Sequence, residues 1–129
     1  MQDIQPNAAG TYYYRAAATL LDGHLDEALS LARLAVATDP KYAAAHILLG
    51  TVYGNLGRQE EARIAFQAAL QLDGRDPAAY VNLGLLELAS GNRTISADRF
   101  VEALLLDPGS AVARAGLAQA RGEPEHRQP

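Results

Sequence analysis

Apolar and small residues recur along this chain at the spacing i, i+3, i+4 and i+7, in stretches of about fourteen residues. Such stretches are too long for ordinary strands, and the spacing places the apolar residues on one face of a helix. Short segments containing Gly, Pro or Asp separate them. The pattern predicts an all-α chain of seven amphipathic helices in antiparallel succession.

The pattern repeats with a period of about 34 residues, which Gly23, Gly57 and Gly91 mark. Three further columns share this period: Ala35, Ala69 and Ala103; Asp39, Asp73 and Asp107; and Leu49, Leu83 and Leu117. A fixed period of this size is typical of stacked supersecondary units, none of which can bury its apolar face alone. The predicted units are the helix pairs 9–42, 43–76 and 77–110, followed by a single capping helix 111–122.

Two kinds of turn separate the predicted helices. The column of Gly23, Gly57 and Gly91 falls where the first helix of each pair should end in a left-handed cap. Between units the sequence reads Asp39-Pro40, Asp73-Gly74 or Asp107-Pro108, and proline there stops one helix before the next begins.

The residues in these columns resemble the tetratricopeptide repeat, a pattern of one large aromatic residue, Leu-Gly, Tyr, Gly, Ala, Phe, Ala and Pro. The middle unit carries Leu49-Gly50, Tyr53, Gly57, Ala62, Phe66 and Ala69. The third carries Tyr80, Leu83-Gly84, Gly91, Phe100, Ala103 and Pro108, with Glu87 and Ser96 as departures, and the first retains Tyr12, Gly23, Ala28, Ala35 and Pro40. The resemblance covers about residues 9–122 and implies an α-α superhelix, a solenoid of antiparallel helix pairs.

The two ends of the predicted array look capped. Arg15 and Thr19 give the first unit a polar outer side, and the capping helix offers Arg114 and Arg121 to solvent. We therefore expect a complete small array. The polar, proline-bearing segments 1–8 and 123–129 are expected to be flexible.

Composition narrows the class of partner. With 11 basic against 15 acidic residues among 129, and no basic cluster, neither nucleic acid nor an anionic membrane surface is an expected partner. No segment is apolar enough for membrane insertion, and the N-terminus lacks a signal sequence. The absence of cysteine is compatible with the cytoplasm, which we expect, and equally with the periplasm. The alanine-rich composition suggests a bacterial source.

Candidate chemistry is sparse, and the sequence predicts no enzyme, cofactor or metal site. His24, His46 and His126 lack the i, i+4 spacing of helical metal ligands. The carboxylate pairs Asp26-Glu27 and Glu60-Glu61 fall in the first turn of a predicted helix, where negative charge stabilises the helix dipole.

A second apolar stripe on the first helix of each pair exceeds what packing requires. In the third unit it carries Val81, Leu85 and Leu88, about a third of a turn from the packing stripe. The resemblance implies that this stripe lines a concave groove that holds a peptide. The candidate partner-binding residues are Tyr13, Tyr14, Ala17, Leu20, Ile47, Leu48, Thr51, Asn55, Val81, Asn82 and Leu85.

These residues favour an apolar or amphipathic segment over an acidic peptide terminus. Family members that clamp a carboxylate use lysine, arginine and asparagine along the groove, and here only Asn82 fits. The sequence therefore predicts a protein-interaction scaffold or adaptor whose partner is a protein or peptide.

Three alternatives remain. The same surface could join identical copies into a homo-oligomer. Ala17, Ala44 and Leu88 could instead pack against neighbouring first helices, an interpretation of equal weight for these three. An accessory domain of a larger enzyme is the third, and the capped ends argue against it.

Overall fold

The structure is a computed structural model that describes residues 7–122. This part of the chain forms seven α-helices and no strand, which confirms the all-α prediction. Their bounds are α1 Ala8–Leu21, α2 Leu25–Thr38, α3 Ala43–Asn55, α4 Gln59–Leu72, α5 Pro77–Ala89, α6 Arg93–Leu106 and α7 Ala111–Ala120. The predicted division into repeat units stays a prediction. The chain separates into two compact units, Met1–Leu72 and Asp73–Pro129. These are called the N-terminal and C-terminal units.

The N-terminal boundary of the helical region differs slightly from the expectation. Ala8 was placed in a flexible segment, yet it is the first residue of α1, with Asn7 before it at the N-cap. The amide of Thr11 donates to the carbonyl of Asn7, which begins the helix. The rest of the two segments expected to be flexible, residues 1–6 and 123–129, lies outside the described part of the chain.

The glycine column ends the first helix of each pair as predicted. Gly23, Gly57 and Gly91 have φ of 82°, 78° and 84°, in the left-handed region. After α3, the amide of Arg58 donates to the carbonyl of Tyr53 at 2.9 Å, and the amide of Gly57 to that of Gly54 at 3.0 Å. This is the Schellman pairing, and the residues after α1 and α5 repeat it.

The aspartate column has a local function at the junctions between helix pairs. A carboxylate oxygen of Asp39 accepts from the amide of Lys41 at 3.1 Å, and one of Asp73 accepts from the amide of Arg75 at 3.0 Å. Aspartate favours turns because its short side chain can bond its own backbone two residues on. The junction turn is therefore stabilised by the residue that begins it.

Small residues allow close helix packing inside each unit. In the N-terminal unit, a Cβ placed on Gly50 would lie 2.6 Å from the ring of Phe66. In the C-terminal unit, a Cβ on Gly84 would lie 2.7 Å from the ring of Phe100, and Gly116 of α7 faces the same ring. Because Phe100 is fully buried, these glycines hold α5 and α7 against α6.

The two departures from the repeat pattern in the C-terminal unit are buried polar groups with partners. Glu87 is 4% exposed and accepts from Nδ2 of Asn92 at 2.8 Å. Ser96 is fully buried and its hydroxyl donates to the carbonyl of Gly84 at 2.7 Å. Both substitutions are compatible with the fold because hydrogen bonds offset the cost of burying a polar group.

Candidate functional site

Two tyrosines in the middle of α1 and one at the N-cap of α3 form an aromatic cluster, which we call the tyrosine cluster: Tyr13, Tyr14 and Tyr42. The ring centroids of Tyr13 and Tyr14 are 5.0 Å apart in an edge-to-face arrangement, and those of Tyr13 and Tyr42 are 5.3 Å apart. Tyr14 is 67% exposed, so the cluster presents aromatic surface to solvent. Burial raises the pKa of Tyr42, and the nearby phenols of Tyr14 and Tyr13 and the carboxylate of Asp39 raise it further.

Tyr42 was not among the residues predicted from the sequence. It lies at the N-cap of α3, on a junction rather than on the helical stripe, so helical spacing could not select it. The only signal in the sequence was a tyrosine next to the second unit, far along the chain from Tyr13. Contact between such distant positions is decided by tertiary packing.

The remaining candidates in the N-terminal unit range from half-buried to exposed. Ala17, Leu20 and Ile47 are half-buried, and Asn55 is exposed. Leu48 packs against the buried cluster of Ala16, Leu31 and Ala32. The packing interpretation considered for Ala17, Ala44 and Leu88 thus applies to Leu48 as well.

The hydroxyl of Thr51 does not have its hydrogen free to donate to a ligand. Its Oγ1 donates to the carbonyl of Ile47 at 2.9 Å within α3. The hydroxyl hydrogen is therefore used inside the helix. Among the N-terminal candidates, this leaves the Asn55 amide and the tyrosine hydroxyls as the polar groups available to a ligand.

Val81 and Asn82 of the C-terminal unit both line a pocket of about 310 Å³. Its other lining residues are Pro77, Ala78, Asp107, Ser110 and Val112. Leu85 is 43% exposed, whereas Val81 also packs against the core cluster that contains Phe100. The side-chain amide of Asn82 has no hydrogen bond within residues 7–122 and is available to a ligand.

Five residues that line this pocket were not among the candidates predicted from the sequence: Pro77, Ala78, Asp107, Ser110 and Val112. Val112 lies one repeat period after Ala78 and continues its column into α7. That signal was present, but helix α7 was assigned only a capping function. Ser110 caps α7 by accepting from the amide of Ala113 at 3.1 Å, and the same turn carries Asp107.

The candidate residues carry no formal charge at neutral pH, and most of them are apolar. Within residues 7–122, no group of three or more His, Asp or Glu side chains is placed to hold a metal ion. Nor does any helix in that range combine the length and apolar character needed to cross a bilayer.

Glycine-capped helix pairs that pack through small residues define an α-helical repeat protein. The family model described as tetratricopeptide repeat matches residues 19–83, which are 65 of the 129 residues. The chain belongs to the tetratricopeptide repeat family.

One relative in sequence and two solved structures are also similar to this chain. DnaJ homolog subfamily C member 7 from Mus musculus is 35% identical over 77 residues, 60% of this chain, and this match spans 16% of that relative's length. The first TPR of Spaghetti (RPAP3) bound to HSP90 peptide SRMEEVD has a TM-score of 0.87 at 18% identity, over 92% of this chain and 94% of that one. The second TPR domain of human RPAP3 in complex with HSP70 peptide SGPTIEEVD has a TM-score of 0.83 at 23% identity, over 88% and 95%. At these identities the two structures establish likeness of fold alone.

Proposed function

We propose that this chain is a protein-interaction scaffold that binds an apolar or amphipathic peptide segment through the first helices of its pairs. The observation that carries the proposal is that each unit leaves a large apolar side chain exposed at an uncharged candidate position, on α1 in one unit and on α5 in the other. Tyr14 and Leu85, at 67% and 43% exposure, are large apolar side chains that the fold leaves in solvent. Exposed apolar surface beyond packing needs is typical of interaction sites.

The solved relatives support peptide binding, but not the same peptide chemistry. Both RPAP3 domains are bound to peptides that end in Glu-Glu-Val-Asp. A site for such acidic ends needs cationic groups, and the candidate residues of this chain include neither lysine nor arginine. Apolar burial would supply the affinity here, while Asn55, Asn82 and the tyrosine hydroxyls would fix the orientation of the peptide.

The test is selection of binders from a random twelve-residue peptide library displayed on phage, followed by fluorescence anisotropy with the synthesised peptides. We expect apolar-rich sequences. Because Tyr14 and Leu85 are exposed, Tyr14→Asp and Leu85→Asp should leave the circular dichroism spectrum unchanged and weaken binding by about tenfold or more each, as loss of a central apolar contact does.

Leu105→Asp is the matched control. Leu105 is 72% exposed on α6, which is the second helix of its pair and carries none of the candidate residues. Its affinity for the selected peptides should equal that of the unmodified chain. The peptide SRMEEVD serves as a second control and should not bind. Equal affinities of the Tyr14 and Leu85 variants and the unmodified chain would refute the proposal, as would selection of acidic C-termini.

The alternative function, self-assembly through the same stripe, is tested by light scattering on a size-exclusion column over a wide concentration range. A monomer throughout is the outcome that supports a heterologous peptide. A stable dimer that Tyr14→Asp or Leu85→Asp dissociates would replace the peptide proposal with self-assembly.

A further inference from the structure

A second pocket of the N-terminal unit lies on the other side of α3. His46, Leu49 and Tyr53 line it, and at about 100° per residue they lie roughly opposite to Ile47 and Thr51 on the helix. The pocket has a volume of about 290 Å³, and its walls come from α2, α3 and α4. Its lining residues are Val36, His46, Leu49, Tyr53, Glu61, Ile64, Ala65 and Ala68. It is therefore separate from the proposed peptide surface.

The pocket is lined mainly by apolar side chains and has room for an aliphatic or aromatic group. Ala65 and Ala68 are small, which leaves room between α3 and α4, and Ile64 is 64% exposed on α4 beside them. The volume is at the lower limit of small-molecule sites, which hold about 300–1,000 Å³. One aliphatic or aromatic side chain fits this space better than a whole cofactor does.

Two guanidinium groups, from residues outside the pocket lining, converge on the lining residue Tyr53. Nε and Nη2 of Arg33 donate to the Tyr53 hydroxyl at 3.1 and 3.0 Å. The guanidinium of Arg58 lies over the Tyr53 ring, 5.0 Å from its centroid. Since Tyr53 is 8% exposed, a buried side chain fixes the orientation of both arginines.

The charges of this cluster do not balance. Glu61 accepts two hydrogen bonds from Arg58, at 2.6 and 2.7 Å, so that pair is neutral. Hydrogen bonding to Arg58 lowers the pKa of Glu61, and the charges of Arg58 and Arg33 act in the same direction, so Glu61 remains an anion at neutral pH. Arg33 has no ion-pair partner in the described part of the chain, and its remaining N–H groups lack an acceptor there.

We propose that this pocket is a second binding site, for a partner segment that carries one aliphatic or aromatic side chain next to a carboxylate. The side chain fills the space beside Ala65 and Ala68, and the carboxylate pairs with the free N–H groups of Arg33. Charge complementarity selects this occupant, because Arg33, which donates to the hydroxyl of the lining residue Tyr53, is a cation without an ion-pair partner in residues 7–122.

The test is a titration of ¹⁵N-labelled protein with N-acetyl-leucine, followed by two-dimensional NMR, with N-acetyl-leucinamide as the matched uncharged probe. The acid should give saturable shifts at the amides of Leu49, Tyr53, Ala65 and Ala68. The amide probe should shift the same peaks with an affinity about three- to fivefold weaker, since it lacks the pair with a partly exposed arginine.

Two variants separate the parts of the site. Arg33→Gln should make the two probes bind equally, and Ala68→Leu should weaken both because it fills the space. Arg114→Gln, at an exposed position of α7, is the control and should bind both probes as the unmodified chain does. Peak dispersion in each spectrum reports that the variant is folded.

Three results would overturn the proposal: equal affinity for both probes, shifts confined to Ile47 and Thr51, or no saturable shift. Concentration-dependent shifts of the pocket peaks without probe would also overturn it, because they would assign the site to a second copy of the chain. The peptide-selection experiment has separate readouts on Tyr14 and Leu85, so either proposal can fail alone.

Discussion

At the scale of single residues, replacing each of two glycines in one helix should change the free energy of unfolding in opposite directions. Gly50 and Gly54 are one turn apart on α3. A Cβ on Gly50 would enter the ring of buried Phe66, whereas a Cβ on Gly54 would meet nothing within 4 Å. The same substitution therefore tests packing at one position and helix propensity at the other.

Gly50→Ala should destabilise the protein, because overpacking costs about 1–3 kcal/mol and the gain in helix propensity is about 1 kcal/mol. Gly54→Ala should stabilise it by about 0.5–1 kcal/mol. Urea unfolding followed by circular dichroism measures both. Equal stability changes in the two variants would show that the ring of Phe66 moves aside, and the packing account would then be wrong.

Residue-scale features were predictable where the cause is local. The glycine caps follow from the sequence because a left-handed residue is needed at each hairpin turn. The tyrosine cluster and the contact between Arg33 and Tyr53 could not be predicted, since each joins residues that are distant along the chain. Glu87 was recognised as a departure from the pattern, but its bond to Asn92 depends on how the turn after α5 closes.

At the scale of elements, the left-handed cap that ends α3 depends on the backbone conformation of one residue, Gly57. Gly57 has a φ of 78° and open space around its Cα, so backbone conformation alone decides what fits there. A side chain at this φ costs about 1–2 kcal/mol for most residues, and less for asparagine.

Gly57→Ala should lower the free energy of unfolding by about 1 kcal/mol, after the smaller chain entropy of unfolded alanine offsets part of the conformational cost. Gly57→Asn should cost less. Urea unfolding gives the ranking, and hydrogen exchange of the Arg58 amide reports the cap directly. If alanine proved as stable as glycine, the left-handed cap would contribute nothing to stability.

The number and position of the helices were the most predictable features of the fold. All seven helices lie where apolar spacing and turn residues placed them, and the acidic pairs Asp26-Glu27 and Glu60-Glu61 are in first helical turns as expected. Helix α7 was found, yet its part in the pocket with Val81 and Asn82 was not. Spacing predicts which face of a helix is apolar, but not which neighbouring residues leave room for a ligand.

At the scale of the whole molecule, stability rests on side-chain burial. The chain has no cysteine, and the described residues include no grouping of His, Asp and Glu suited to a metal ion. Alanine, leucine and phenylalanine dominate the buried positions.

The midpoint of thermal unfolding should therefore be the same with and without EDTA and with and without a thiol reductant, within about 1 °C, because the chain has no cysteine and residues 7–122 bring no metal ligands together. Circular dichroism at 222 nm measures it. A fall of several degrees in EDTA would reveal a stabilising metal and contradict this account of stability.

The junction turns have a consequence for how such a chain can change in length. Asp39 and Asp73 each close their turn with an amide two residues away, and each glycine cap is completed by hydrogen bonds between near neighbours in the sequence. A tandem duplication of one full period therefore copies a complete set of turns, whichever residue the copied segment begins at. Array length can then vary by unequal crossing-over within the coding sequence, without any new loop having to evolve.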